Sequence, residues 1–226
     1  MINRSGSYQL PDGEAIFTRR LRQAPQLEAV VRIETDYATD LDGREIVQTT
    51  GPRVSRVGKR ILFGAFTDVG NDPDSMVGFI EVGGEVRGGK VAEPLKRAVE
   101  PLTFFWPRPA GVYAHVDAMK TVPGYQHRGV GLALTHTALQ AVPGHRRLTM
   151  DAHEDSEQMR DFVVAAGLEP AQQHNPRIVT YDDGHGEHGQ LVVVRYQTPS
   201  DATDALINMQ YQQPWLGEQP QLVPAE

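Results

Sequence analysis

The sequence predicts an α/β domain with a mixed, largely antiparallel central sheet flanked by helices. Three observations point to it. Segments that alternate in polarity are interleaved with segments of helical spacing along residues 15–198. Two apolar runs, RILFGAFTDV and SMVGFIEVG, are joined by GNDPD, whose Asn, Asp and Pro chemistry makes a hairpin turn. A last pair, RIVTYDD and GQLVVVRYQT, closes the sheet around DDGHGEHG, and no internal repeat interrupts the pattern.

In chain order, EAIFTRRL alternates like a strand. From Gln26, the residues Leu27, Val30, Val31, Glu34, Tyr37 and Leu41 keep mostly apolar helical spacing, which gives a first helix. After the hairpin comes the glycine-rich GGEVRGGKVAEP, then a helix over 94–102 with proline in its first turn. GVYAHVDAMKTV alternates and reads as a strand. Behind it Val130, Ala133, Leu134, Thr137, Ala138 and Ala141 form one apolar-to-small helix face. RRLTMDA is a short strand. DSEQMRDFVVAAGL begins on capping Asp and Ser, puts Met159, Phe162, Val163 and Ala166 on one stripe, and stops at Gly167. Residues 1–14 read as an N-terminal extension and 15–198 as the domain. The tail 199–226, rich in Gln and Pro, reads as a loose end, docked or dimer-forming. Within it Asp201 to Tyr211 forms a short capped helix that can lay Trp215 on the body or on a partner chain.

Composition excludes several classes. With no cysteine there is no disulfide framework, thiolate metal site or cysteine nucleophile. No apolar run approaches the ~18 residues that span a bilayer, and the N-terminus lacks a signal-peptide core, so a cytoplasmic protein without a membrane role is expected. A formal charge of −7 argues against general nucleic-acid binding. His185-x-x-His188, with Asp182, Asp183 and Glu187, lies in a flexible turn and reads as a solvated loop, so no metal is expected. LTFFWP (102–107) reads as core or lid packing, and RGGK (87–90) as a loop tip.

The informative stretch is TVPGYQHRGVGLAL, where three glycines lead into a helix. A nucleotide P-loop needs Lys-Ser/Thr after its last glycine, and Leu132 and Ala133 stand there. A dinucleotide fingerprint needs a third glycine where this chain has Leu134, although Asp151 lies at the distance of a ribose-binding acid. The remaining device is a strand, a short Gln/Arg-x-x-Gly-x-Gly turn and a helix. Gly129 and Gly131 would let a ligand reach the backbone, and the amides opening the helix point outward at its positive end. Arg128 can add a charge. That pattern suits a pyrophosphate.

TVPGYQHRGVGLAL resembles the acyl-CoA binding motif of the GNAT superfamily of N-acetyltransferases, and DSEQMRDFVVAAGLEP resembles a later segment of that family. The resemblance covers roughly residues 15–198, and only the turn is specific. It implies acetyl-CoA or another acyl-CoA as co-substrate. The backbone of Lys120, Thr121 and Val122 would pair with the pantetheine arm, the amides of His127, Arg128, Gly129, Val130, Gly131 and Leu132 would take the pyrophosphate, and Ser156 stands at the family's Asn position. Val163 falls where many members carry the tyrosine that protonates the departing thiolate. Either another group serves there, or the thiolate, whose thiol has a pKa of ~8.5, leaves unassisted.

The reaction implied is direct attack of an amine on the thioester. An alkyl amine of pKa ~10.4 is only about one part in a thousand neutral at pH 7, so a base must take a proton. On YAHVDAM, His115, Asp117 and Met119 share one face by period two, and Glu81 lies on the adjacent strand. Asp117 and Glu81 are the first candidate bases and His115 the third; His153 and Glu154 follow the next strand and suit a helix-capping turn. Tyr125, Tyr113 and Ser156 are candidate acids.

These expectations describe an N-acetyltransferase acting on a primary amine of a small molecule, with the insertion 83–110 shaping the acceptor site. If Glu81, Glu85 and Asp117 line that site, a cationic amine such as a polyamine or aminoglycoside fits. The rivals are a CoA-binding sensor or scaffold with little turnover, acetylation of a protein N-terminus, lysine or aminoacyl-tRNA, and, more distantly, a nicotinamide-dependent oxidoreductase. A homodimer through the segment around Trp215 is also compatible with the family.

Overall fold

In the structure, a computed structural model, the described residues are 6–36, 45–49, 54–70, 72–87, 112–142, 146–154, 156–171, 176–182 and 188–217. The helix expected at 94–102, the stretch LTFFWP and most of RGGK, of the insertion 83–110 and of DDGHGEHG lie outside them.

The described strands are β1 (Gly6–Gln9), β2 (Ala15–Arg20), β3 (Glu45–Thr49), β4 (Val54–Phe66), β5 (Met76–Arg87), β6 (Val112–Thr121), β7 (Leu148–His153), β8 (Glu169–Pro170), β9 (Arg177–Asp182) and β10 (His188–Gln197). They form one sheet in the order β1-β2-β4-β5-β6-β7-β10-β9-β3, with β8 pairing β10. Every pairing is antiparallel except β6 with β7, so the sheet is mixed and largely antiparallel, as the alternating segments and hairpins require.

Four described helices flank the sheet: α1 (Ala24–Asp36), α2 (Val130–Ala141), α3 (Glu157–Ala165) and α4 (Ala202–Gln212). On one face α1 sets Ala29, Val30 and Ile33 against Phe66, Met76 and Phe79. On the other, α2 packs Val130, Ala133, Leu134 and Ala138 onto Ile80, Val82, Ala114 and Val116. The caps follow local chemistry. Ser156 accepts from the Met159 amide at the start of α3, Gly167 turns the chain at φ +66° after it, and Asp201 accepts from the Thr203 and Asp204 amides to open α4.

Burial on α2 extends beyond the single face that periodicity marks, taking in Thr135, His136 and Leu139. Thr135 meets Met119 of β6, and His136 meets Gln210 of α4, whose Ala202, Ala205 and Met209 join the same core together with Leu216. The N-terminal segment contributes as well. β1 lies within the stretch read as an extension, pairs with β2 and buries Tyr8, and Leu10 just after it is buried too.

Candidate functional site

β6 and β7 are paired over three residues only, Ala114↔Leu148, His115↔Thr149 and Val116↔Met150. Beyond that point β6 continues to Thr121 against β5, while β7 continues to His153 against β10. Two parallel strands that part while each remains paired on its outer side leave a gap between them. At the mouth of that gap β6 runs into the glycine turn.

The turn starts with a 3-10 segment, Pro123–Tyr125, in which the Tyr125 amide donates to Val122 O (2.9 Å) and the Gln126 amide to Pro123 O (3.3 Å). Two residues then take left-handed conformations, His127 at φ +59° and Gly129 at φ +101°, and α2 begins at Val130 with Gly129 as its cap and no side-chain cap bond. The backbone amides of 127–132 donate to no acceptor among the described residues, and the first α2-type bond there runs from the Ala133 amide to Gly129 O (3.0 Å). An open row of N–H groups at the positive end of a helix is an anion-binding arrangement.

Two details differ from the sequence reading. The Cβ positions of Gly129 and Gly131 face aromatic rings of the chain itself: a β-carbon on Gly131 would stand 3.3 Å from Phe162 Cε2, and one on Gly129 3.0 Å from the Trp215 ring. Arg128 does not extend freely into the turn's mouth. Its Nε donates to Asp12 and its Nη2 to Glu14, both on the β1–β2 hairpin, and its guanidinium lies 4.6 Å from the centre of the Tyr125 ring. These partners raise the guanidinium's pKa further. Tyr125 in turn donates its hydroxyl to Glu14 (2.9 Å); burial, then the Glu14 carboxylate, pushes that phenol up.

At the end of β6, Lys120 and Thr121 pair with Phe79 and Gly78, and the Val122 amide donates to Val77 O (3.0 Å). Lys120 Nζ reaches Glu34 O (3.4 Å), and Thr121 O accepts from the Gln126 side-chain amide (3.2 Å). Ser156 caps α3. His153 closes β7, its O accepting from the Ser156 amide (3.4 Å), and the Glu154 amide donates to Val192 O (3.0 Å).

The candidate bases form a separate cluster on the α1 side of the sheet. Glu81 faces Ala118, while Val82 faces Val116, so Asp117 is an extra residue in β6, a β-bulge. The bulge breaks the expected period. His115 and Asp117 keep one face, whereas Met119 is turned to the α2 face, where it meets Thr135. Gly83 opposes His115, and a β-carbon there would stand 2.5 Å from Asp117 Oδ2, so only glycine admits the Asp117 carboxylate at this place. Arg60 of β4 joins the two acids, donating to Glu81 (3.1 Å) and approaching Asp117 (3.8 Å). Both carboxylates are largely shielded, with side-chain exposures of 16% and 10%.

His115, 2% exposed, continues this cluster toward β7. Thr149 donates to Ala114 O (3.2 Å), which leaves its oxygen to accept from His115 Nδ1 (2.8 Å). His115 Nε2 then lies 3.9 Å from Asp151, whose carboxylate is held by both Nε and Nη2 of the fully buried Arg195 (2.7 and 2.8 Å). Nothing local in the sequence signals the Asp151–Arg195 pair, whose members stand opposite each other on β7 and β10. Val163 is a core residue, 3% exposed, and supplies no polar group from α3. The Tyr113 and Glu85 side chains lie outside the described residues. Among the described residues no group of His, Asp and Glu is arranged to hold a metal, and no helix is long and apolar enough to cross a membrane.

No family model matches the chain, and no curated protein does. Among solved structures it is similar to Arabidopsis thaliana NAA60 in complex with a bisubstrate analogue, at 12% identity over 82% of this chain and 99% of that one, with a TM-score of 0.49. It is similar to the ribosomal-protein-S18-alanine N-acetyltransferase of Escherichia coli at 12% identity, covering 82% and 94% of the two chains, with a TM-score of 0.44. It is also similar to Mycobacterium smegmatis RimJ in complex with CoA-disulfide, at 13% identity over 91% and 94%, with a TM-score of 0.45. By its own elements, the chain is an α/β domain whose largely antiparallel sheet opens between β6 and β7 in front of a glycine turn.

Proposed function

We propose that the protein is an acyl-CoA-dependent N-acyltransferase that passes an acetyl group from acetyl-CoA to a primary amine of a small molecule by direct attack. The observation that carries this reading is the open row of amides at 127–132, placed where β6 parts from β7. A diphosphate on those amides would leave an attached arm to run along the backbone of Lys120, Thr121 and Val122 into the gap, as a strand added to the freed side of β6. The thioester at the end of such an arm would lie near the bulge at Asp117.

In this reading Glu81 and Asp117 take the proton of the attacking amine. His115, enclosed by Thr149 and Asp151, orients the strand pair from within. The Arg60 guanidinium offsets much of the acidity on which a cationic acceptor rests, so a neutral-bodied amine is accommodated as well as a polyamine. The Tyr125 hydroxyl is engaged by Glu14, and the departing thiolate leaves without a tyrosine on α3.

The test is thermal unfolding with saturating acetyl-CoA, CoA and NADH in parallel. Ligand at 100 times its dissociation constant stabilises by ~2.7 kcal/mol, roughly 5–10 °C for a chain of this size. Shifts with both CoA species and none with NADH are expected; a shift with NADH alone, or with none, sinks the reading. Thiol release over a panel of small amines and peptide N-termini then identifies the acceptor.

A second reading, a CoA-binding sensor or scaffold, is favoured by the burial of Val163 at the position where the family resemblance calls for a proton donor. Tight acetyl-CoA binding with no thiol release across the whole panel would replace the enzyme by the sensor.

A further inference from the structure

The turn at 122–129 is poorly held by its own backbone. It carries two left-handed residues, of which His127 is not glycine and costs roughly 1–2 kcal/mol for that conformation. Its internal bonds are few: the Tyr125 and Gln126 amides to Val122 and Pro123, the Gln126 side chain to Thr121 O, and Arg128 Nη1 to Gly124 O at 3.4 Å. Yet the amide row that follows it is useful only if the turn keeps one shape, since a preorganised row of donors spends nothing on ordering when the anion arrives.

The β1–β2 hairpin supplies what the turn lacks. Glu14 accepts from Tyr125 at one end of the turn and from Arg128 at the other, and Asp12 accepts from Arg128 Nε. The guanidinium is also stacked on the Tyr125 ring, so it is fixed in direction as well as in charge. Pro11 completes the contact, its Cδ 3.5 Å from where a β-carbon on Gly129 would stand. The hairpin itself is a firm support. The Leu10 amide donates to Glu14 O and the Gly13 amide to Leu10 O (both 2.8 Å), the Glu14 amide to Asp12 Oδ1 (3.1 Å), and Tyr8 and Leu10 are buried beneath it.

We infer that Asp12 and Glu14 are positioning residues for the glycine turn, clamping it through Arg128 and Tyr125 so that the 127–132 amides face a ligand in one arrangement. As a statement about ligand binding this rests on the function proposed above; as a statement about the turn it does not. The Arg128 side chain serves the clamp, and its backbone amide belongs to the anion row. Arg128 with Asp12 and Glu14 carries one net negative charge, so the cluster has no electrostatic attraction of its own for a phosphate. The alternative is a latch, in which the carboxylates only hold Arg128 until a phosphate displaces them.

The experiment compares the full chain with D12N, E14Q, the double variant and R128K. The first arm is amide exchange without ligand. The clamp predicts that the Tyr125 and Gln126 amides exchange about 2- to 5-fold faster in E14Q and D12N, and faster still in the double variant, while α2 amides from Leu134 onward are unchanged. Equal exchange in all variants overturns the inference. The second arm is the dissociation constant for CoA. The clamp predicts weaker binding, by about 3- to 10-fold in the double variant, with Arg128→Lys and Glu14→Gln less than additive. Tighter binding in the acid variants identifies a latch and also overturns the inference. If the unaltered chain binds no CoA at all, the proposed function fails, and the exchange arm decides the clamp by itself.

Discussion

The indole of Trp215 rests on the backbone of Gly129. A β-carbon at Gly129 would stand 3.0 Å from both Cη2 and Cζ2 of the ring. The two residues are far apart in the chain, one capping α2 and the other in the 3-10 turn Pro214–Leu216 after α4, and Tyr8 meets the same indole edge-on at 6.5 Å. The C-terminal segment therefore packs against the turn that opens α2.

Gly129→Ala is expected to lose stability for two reasons, a φ of +101° and the collision with Trp215. The conformational part alone costs roughly 1–2 kcal/mol, or roughly 2–8 °C in Tm for a domain of this size. Gly124→Ala is the control, since nothing stands within 4 Å of its Cβ position; calorimetry should find it near neutral. Measured against the Trp215→Ala protein, adding Gly129→Ala should cost only the conformational part. No cost in that background would show that the backbone conformation costs nothing.

The turn, the β4–β5 hairpin and the helix caps were legible in the sequence because each is written in neighbouring residues: Gly after Arg128, Asn-Asp-Pro between apolar runs, Ser156 and Asp201 ahead of helices. What escaped is written non-locally. EIVQT of β3 has an ordinary strand composition, but its partner β9 lies over a hundred residues away. Met119 lies on the face opposite to the one period two gives it, because one bulged residue, Asp117, moves every later side chain to the other side. Arg128 reads as a ligand-binding cation until the Asp12 and Glu14 carboxylates are brought to it by the β1–β2 pairing. Nothing near position 128 signals that.

Arg195 and Asp151 test how far the candidate site depends on buried charge. Arg195 is fully buried and gives two bonds to one carboxylate. Asp151 keeps 24% of its side-chain surface exposed, so losing the charged hydrogen bonds in Arg195→Met should cost about 1–3 kcal/mol in urea unfolding. Arg195→Lys should also lose stability, because a single ammonium cannot reproduce the two-pronged contact. A loss of under 1 kcal/mol in both would mean that Asp151 is satisfied by other neighbours.

For the proposed reaction, Glu81→Gln and Asp117→Asn should lower kcat, by roughly 10²-fold or more for whichever is the base, with the dissociation constant for CoA unchanged. The pH–rate profile separates base from bystander. The true base variant should lose the acidic limb and recover activity at high pH, where the amine is neutral by itself. If both variants keep the wild-type kcat and profile, neither carboxylate takes the proton.

The last prediction concerns His136, buried in the network that fastens α4 and β1 to α2. It is 1% exposed, its Nδ1 is 2.9 Å from Tyr8 Oη, and its Nε2 is 3.0 Å from Gln210 Nε2. A consistent set of donors follows when the ring is neutral: Gln210 donates to Nε2, Nδ1 donates to Tyr8, and Tyr8 donates to Thr137 (2.9 Å). Protonation would set two donors face to face at Gln210. Burial accordingly holds the imidazole pKa down to about 4, against an ordinary 6.5. Because the folded pKa of this base is depressed, the unfolded chain binds the extra proton first as pH falls. Stability is complete above about pH 6.5 and is lost progressively between there and pH 4, by up to about 3 kcal/mol. Urea unfolding of wild type and His136→Gln at pH 7, 5.5 and 4.5 checks this, since other carboxyl groups titrate alike in both proteins. The gap between the two stabilities should shrink as pH falls. A constant gap would show that His136 keeps its ordinary pKa inside the fold.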